Sequence, residues 1–452
     1  MVAIEGIGAD ADGIGKLSGY VIFVPFALPG ERVRVRIVNA NRKFGRGELI
    51  EVLRRSEERV EPRCEHFGVC GGCHLQHLTY AGQLKHKTAQ VTNALEHAFG
   101  LVSPKVEPMR GPDDPWGQRT KIALHLRRMA GRLEAGLYSR RTRELVPIRE
   151  CPATDPKGLR AGLAAVDLLD RSDLPAWVPW TDEGVLRSIV VRQSPGIGAQ
   201  TTLVLRKDVE GREKIVSELL AGGAMSVALS LNDGPTEMLL GRRTEVVGGE
   251  ERLPIDVCGV RYLCSPGAFF QTSAWGAKFL VEAVRRLVAP PADARIVDLY
   301  CGGGLLGLAL ADRVREVLGL EENGRAIADA TASAAANRFA NTRFLRGPVE
   351  QTLRQIERDP RPFAVLLDPP REGCDPRVVG AVADLAPRRV LYVSCALEAL
   401  ARDLLEFRRL GYGATRIEPF DMFPHTAHVE AVALLERTEL EAKRRLLSRV
   451  TQ

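Results

Sequence analysis

The chain has 452 residues, of which 45% are hydrophobic and 27% charged, with a formal net charge of +6. That length exceeds what one core organises and predicts two to four domains of ordinary globular composition. No run of about 18 apolar residues occurs, and the start, Met1-Val-Ala-Ile-Glu-Gly6, lacks a secretory leader's basic-then-apolar pattern, so a cytoplasmic protein without a membrane span is expected.

Residues 1 to 55 read as all-β. Tyr20-Val-Ile-Phe-Val24 is a strand, and Arg32-Val-Arg-Val-Arg-Ile37 alternates with a period of two. A small barrel is the natural closure, with a basic strand face turned outward. Residues 32 to 47 hold six Lys/Arg and no acid, and residues 119 to 143 hold eight against the single acid Glu134. Such runs are usually solvated faces; two on strand-like segments favour a phosphate-contacting surface.

Next comes Cys64-x5-Cys70-Gly-Gly-Cys73, with Cys151 far downstream. Nine cysteines in an intracellular chain argue against disulfides. Four thiolates bind zinc or an iron–sulfur cluster, and spacing leaves both open, with three close cysteines and a distant fourth fitting a cluster slightly better. A helix is predicted from Tyr80 to about Phe99. Residues 106 to 265 read as short strands joined by loops rich in Pro and Gly, with Cys258 and Cys264 as core packing.

From about 266 the pattern becomes regular. Helix 274–288 leads to strands 295–300, 316–320, 342–346, 363–368 and 389–394, with helices between them, including 324–339 and 397–410. This alternation predicts a doubly wound parallel sheet. Residues 414–419 and 429–435 would pair as a hairpin at its edge, and 437–449 read as a charged helix.

In such a sheet, ligands collect at the carboxyl ends of the strands. Asp298-Leu-Tyr-Cys-Gly302-Gly-Gly304 ends one strand and lets a ligand approach the backbone. Glu321 ends the next, where an acid can take ribose hydroxyls. Asp368-Pro-Pro-Arg371 ends another with a stiffened loop. No Walker lysine is present, so S-adenosylmethionine suits the pattern better than a nucleoside triphosphate or dinucleotide. Cys395 ends the strand 389–394 before a helix whose N-terminus favours a thiolate. An isolated strand-end cysteine would be packing; its place beside a cofactor loop makes it the candidate nucleophile, with Cys301 the rival. Glu430, at the hairpin, is a candidate base. His425 and His428 lack a third metal ligand.

These residues resemble the RNA uracil-5-methyltransferases, particularly the bacterial 23S ribosomal RNA enzymes, over nearly the whole chain. Gly13-Ile-Gly-Lys16, Phe23-Val-Pro-Phe-Ala-Leu-Pro-Gly-Glu31 and the basic strand look like the TRAM domain, an OB-like RNA binder. Cys64, Cys70 and Cys73, followed by His74-Leu-Gln-His-Leu-Thr-Tyr80 and Gln83, look like the family's [4Fe–4S] motif, with Cys151 as fourth ligand. Gln271, Tyr300, Gly302, Glu321, Asn337 and Asp368 fall in or beside its cofactor motifs. Ser394-Cys395 resembles the nucleophile motif and His428-x-Glu430 the base motif.

The resemblance implies a TRAM domain at 1–55, a central α+β iron–sulfur and RNA-binding domain at 56–265, a Rossmann-like class I methyltransferase at 266–437 and a charged tail at 438–452. It implies methylation of a uridine, in 23S rRNA first and the transfer RNA T-loop second, with no obligate protein partner. A non-catalytic RNA-binding protein on the same fold is the rival from another class. Two departures stand near the expected substrate base: Ala396-Leu397 replaces the family's Asn-Pro after the cysteine, and Ser273 replaces an Asn.

Overall fold

Alternating apolar residues at the start of the chain curl five strands into a closed barrel in the order β1-β2-β3-β5-β4. These are β1 (Val2–Ile7), β2 (Asp12–Leu17), β3 (Tyr20–Pro25), β4 (Arg32–Ala40) and β5 (Phe44–Arg54), filled by Val2, Ile4, Ile22, Val24 and Val33. Gly13 is required for closeness: a Cβ there would lie 2.5 Å from the Ala27 carbonyl oxygen. The structure, a computed structural model, describes residues 1–100, 103–140, 142–234, 238–356 and 361–437. The tail expected at 437–449 lies almost wholly outside the described residues.

The basic faces are less free than the sequence suggests. Cross-strand partners neutralise Arg34 through Glu51 at 2.7 Å and Arg36 through Glu48. In the second block, Arg128 pairs with Asp170 at 3.1 Å. Arg140 pairs with the buried Asp12 of the barrel at 2.8 Å. A charge run counted along one strand misses acids that a neighbouring strand or helix delivers. Arg140–Asp12, with Arg59 on the buried Glu31 at 2.6 Å, fastens the barrel to the rest of the chain.

After α1 (Tyr80–Phe99) comes a seven-stranded sheet in the order β12-β11-β10-β9-β6-β7-β8. It comprises β6 (Lys121–Met129), β7 (Arg132–Tyr138), β8 (Leu145–Pro147), β9 (Leu186–Ser194), β10 (Gly198–Leu205), β11 (Ser226–Leu231) and β12 (Arg243–Gly249). Two helices stand where loops were expected, α2 (Pro156–Asp170) and α3 (Arg212–Ala221). The signal for α2 was present. Asp155 caps it by accepting from the Lys157 and Gly158 amides, Pro156 opens its first turn, and Leu159, Val166 and Leu169 recur on its buried face.

The ribbon β13 (Leu253–Val257) and β14 (Val260–Cys264) packs into the core that follows it, beside α4 (Ala274–Val288). That core therefore begins before residue 266. Its sheet runs β17-β16-β15-β18-β19-β21-β20. The strands are β15 (Arg295–Leu299), β16 (Glu316–Glu321), β17 (Thr342–Arg346), β18 (Ala364–Leu367), β19 (Arg389–Ser394), β20 (Tyr412–Phe420) and β21 (Glu430–Arg437). Between them lie α5 (Leu305–Leu308), α6 (Gly324–Ala336), α7 (Val349–Thr352), α8 (Pro376–Leu385) and α9 (Leu397–Arg409). The first five strands pair in parallel; β21 runs antiparallel between β19 and β20. β18 is buried along its whole length, as a strand covered on both faces must be. Each such Val or Leu contributes roughly 1.5–3 kcal/mol. No helix among the described residues is long and apolar enough to cross a membrane.

Candidate active site

The strand order reverses between β15 and β18, which opens a crevice at their carboxyl ends. The loop after β15 holds Tyr300, Gly302 and Gly304 at positive φ. A Cβ at Gly302 or Gly303 would meet nothing within 4 Å, so this backbone faces open space. Glu321, at the end of β16, accepts the Gly302 amide at 3.1 Å and the Asn323 amide at 2.8 Å, which fixes the loop across the crevice. Asp298 is buried. One of its oxygens accepts the Gly307 amide at 2.8 Å and the other has no partner. Burial, with Asp368 and Glu321 adding repulsion, pushes its carboxyl up to about 8. Burial pushes Asp368 up to about 7.

Cys395 and Glu430 come together through strand register. Ser394 of β19 pairs with Ala431 of β21, so the next residue outward on each strand falls side by side at the mouth. Burial raises the half-buried Cys395 thiol, and Glu430 and Asp368 add to it; the nearby Arg371 guanidinium opposes them. Glu430 is 8% exposed. Burial, then Asp368, pushes it up to about 8 against the cations Arg371 and Lys87. Cys395, Glu430 and the Asp368-Pro-Pro-Arg371 loop thus lie near one another at these strand ends. Cys301 is buried and its thiol is held far above the usual range, first by burial, which suits packing.

The loop between β20 and β21 is tied down by α1. Lys87 and Asp421 form a fully buried ion pair at 2.6 Å, and Lys87 also donates to the Phe423 carbonyl at 3.2 Å. Gln83 accepts the His425 amide at 3.0 Å, and the His425 ring stacks on Trp116 at 3.8 Å. Burial lowers His425 to about 3 and lowers His428 as well, which keeps both rings neutral. Sequence reading overlooked Lys87, Asp421 and the reach of Arg371. The spacing of Tyr80, Gln83 and Lys87, three and four residues apart, marked a polar stripe on an otherwise core-facing helix.

Three expectations change. Asn337 lies at the far end of α6, about 20 Å of helix from the Glu321 end. Its amide donates to the Arg261 and Ser333 carbonyls at 2.6 and 2.7 Å and accepts the Arg261 amide at 2.9 Å. It latches α6 onto β14, with both amide hydrogens engaged. Ser273 is 1% exposed and caps α4, accepting the Gly276 amide at 3.1 Å, so it does not face a substrate. Ala396 precedes α9 with no side-chain cap; the Ser394 hydroxyl accepts its amide at 3.1 Å instead. Gln271 sits half-buried in the loop before α4. That loop is pinned by Arg192 on the Ala268 carbonyl at 2.8 Å and by the Thr120 amide on the Thr272 carbonyl.

The cysteine set was expected to hold a [4Fe–4S] cluster. Cys64, Cys70, Cys73 and Cys151 are free and half-buried. Among the described residues no group of three or more His, Cys, Asp or Glu side chains is disposed to hold a metal ion. The expected ligands therefore do not form a closed single-ion centre. They are nonetheless neighbours: burial raises Cys64, and Cys151 and Cys73 add to it. Each of the other three sulfurs accepts a hydrogen bond, Cys70 from the Gly72 amide at 3.4 Å, Cys73 from Arg119 at 3.7 Å and Cys151 from the Thr154 hydroxyl at 3.4 Å.

A parallel sheet with a switch-point crevice, an acid-capped glycine loop and an N-terminal OB-like barrel define an S-adenosylmethionine-dependent methyltransferase that handles RNA. Residues 243–438 match the family described as tRNA (Uracil-5-)-methyltransferase, and residues 1–50 match the TRAM domain. An uncharacterized RNA methyltransferase of Listeria innocua is 33% identical over 96% of each chain. One from Halalkalibacterium halodurans is 31% identical over 96% of each. The solved tRNA (uracil-54, C5)-methyltransferase of Pyrococcus abyssi, in complex with S-adenosyl-L-homocysteine, superposes with a TM-score of 0.78 at 28% identity, covering 96% of this chain and 100% of that one. The chain belongs to the RNA uracil-5-methyltransferase family, with an N-terminal TRAM domain and an S-adenosylmethionine-dependent catalytic domain.

Proposed function

We propose that the chain methylates carbon 5 of one uridine in RNA through a covalent bond between Cys395 and uracil carbon 6. The observation that carries this is the pairing of Ser394 with Ala431, which sets Cys395 beside Glu430 at the mouth of the cofactor crevice. Carbon 5 of uracil is a poor nucleophile until a group adds to carbon 6. The Cys395 thiolate forms the S–C6 bond, and the displaced electron pair passes to carbon 5 and O4. S-adenosylmethionine, when bound, supplies the methyl group as a sulfonium electrophile. Tyr300, Gly302, Glu321 and Asp368 line the pocket that would hold it, and Gln271 lies on the loop before α4. Glu430 then takes the carbon-5 proton, the C5–C6 double bond reforms, and the C6–S bond breaks to return the thiolate. The target base has to leave its stack for Cys395 to reach carbon 6.

The test is Glu430→Gln. It should accumulate an enzyme–RNA adduct that survives denaturing gels; normal turnover would remove Glu430 as the base.

The substrate we infer first is 23S ribosomal RNA, supported by the resemblance of the TRAM and cysteine motifs to those enzymes. A transfer RNA uridine is the second reading, favoured by the likeness to the Pyrococcus abyssi enzyme. Mapping 5-methyluridine in both RNAs of a gene-deleted host separates them. For the cysteines we infer a [4Fe–4S] cluster on Cys64, Cys70, Cys73 and Cys151. The support is the nearness of the four thiols and the hydrogen bonds donated to three of the sulfurs, which are levers on cluster potential. Colourless protein holding zinc at full activity would overturn it. We also infer a domain division at residues 55 and about 250, the latter supported by the packing of β13 and β14 in the catalytic core.

A further inference from the structure

We propose that Gln83 and Lys87 are positioning residues for Glu430, acting through the loop Asp421–Val429 that leads into β21. This rests on the reading of Glu430 as base. Phe420 pairs directly with Glu430 across the β20–β21 ladder. Asp421 is therefore the first residue to leave the ladder beside the base, and Lys87 grips it with both side chains fully buried. A lysine and an aspartate so enclosed are costly to desolvate and contribute little net stability over an apolar pair. Their use is registry: they fix where the strand ends and the loop begins.

Gln83 holds the next anchor. His425 adopts φ of 67°, a left-handed conformation that a non-glycine residue keeps only when its surroundings over-determine it. They do. Gln83 accepts its amide, and the Gln83 amide nitrogen lies 3.3 Å from its ring Nδ1. The His74 and Leu75 amides both donate to the His425 carbonyl, at 2.7 and 2.9 Å. Trp116 stacks on the ring. Gln83 also donates to the Leu75 and Leu78 carbonyls at 3.0 and 2.9 Å. One face of α1 thus holds both walls of the loop that aims Glu430. Facing Glu430 itself are Asp368 and Arg371 after β18, Cys395 after β19 and Lys87 from α1. Neither Gln83 nor Lys87 touches the reacting atoms in this arrangement; they set the base's aim.

The test uses the full chain, S-adenosylmethionine and bulk RNA from a gene-deleted host. Lys87→Met alone would strand Asp421 and threaten folding, so the pair is removed together as Lys87→Met/Asp421→Leu. Gln83→Leu is the second variant and changes no charge. Thermal melts establish that each folds, and adduct formation and breakdown are timed separately. The expected result is S-adenosylmethionine affinity and adduct formation within about twofold of wild type, with adduct breakdown slowed roughly tenfold to a hundredfold, the loss that a 1 Å misplacement brings. Wild-type breakdown in either folded variant, beside accumulation in Glu430→Gln, would overturn the positioning role and leave the base standing. No accumulation in Glu430→Gln would overturn both.

Discussion

Replacing Arg371 by Met should slow attack on uracil in a way that depends on pH. The Arg371 guanidinium is the cation that counters burial at the Cys395 thiol. Unit charges 4 Å apart attract by about 1 kcal/mol in a water-like medium and by about 4 kcal/mol at an effective dielectric of 20. Arg371 is exposed, so solvent screening favours the lower figure. About 1 kcal/mol is roughly a fivefold loss of thiolate near neutral pH. The assay is single-turnover formation of the denaturant-stable RNA adduct between pH 6 and 10. Arg371→Met should form it about fivefold more slowly at pH 7, and the deficit should close as pH passes the thiol's raised pKa. Arg371→Lys should keep most of the rate. The same deficit at every pH, or a Lys variant as slow as Met, would show that Arg371 serves RNA binding and leaves the thiol alone.

Adduct breakdown should rise with pH and level off above about 8, because Glu430 must be ionised to take a proton and its carboxyl sits at about 8; a flat profile from pH 6 to 9 would contradict that role. Binding of S-adenosylmethionine should strengthen from pH 6 to pH 8. Burial raises Asp298 and Asp368 to about 8 and about 7, and a cationic ligand favours their ionised forms. Protons should therefore be released on binding, and calorimetry in buffers of different ionisation enthalpy should show fewer released for uncharged-sulfur S-adenosylhomocysteine. Ala396→Asn should add about 1 kcal/mol to the stability of the catalytic domain by capping α9. A raised denaturation midpoint would show it, and an unchanged one would refute the capping.

The catalytic sheet was legible because its strands are buried on both faces and its helices keep a 3.6-residue period. The helix 274–288 and the strands 342–346 and 389–394 fall where the pattern put them. The candidate site was legible where chemistry sits at strand ends, as with Cys395, Glu321 and Asp368. What the sequence hid depends on contacts between distant segments. Asn337 stands among the expected cofactor residues, yet its amide bonds the backbone of β14 and of its own helix. Glu51 and Glu48 cancel Arg34 and Arg36 only once β4 lies against β5. Lys87 reads as a surface lysine on α1 until Asp421, 334 residues away, arrives to meet it. The α2 helix was missed for a different reason: Gly158 and Gly162 in its buried face dilute the apolar period.

The proposed role of Cys395 is to carry carbon-5 methylation of a uridine in RNA. The most direct test is to delete the gene in its host and map 5-methyluridine in ribosomal and transfer RNA by mass spectrometry, with wild type and Cys395→Ala returned separately. The expected result is loss of the mark at a defined uridine, restored by wild type and not by Cys395→Ala, while the variant protein still binds S-adenosylmethionine. Restoration by Cys395→Ala, or no loss of 5-methyluridine in either RNA, would contradict it.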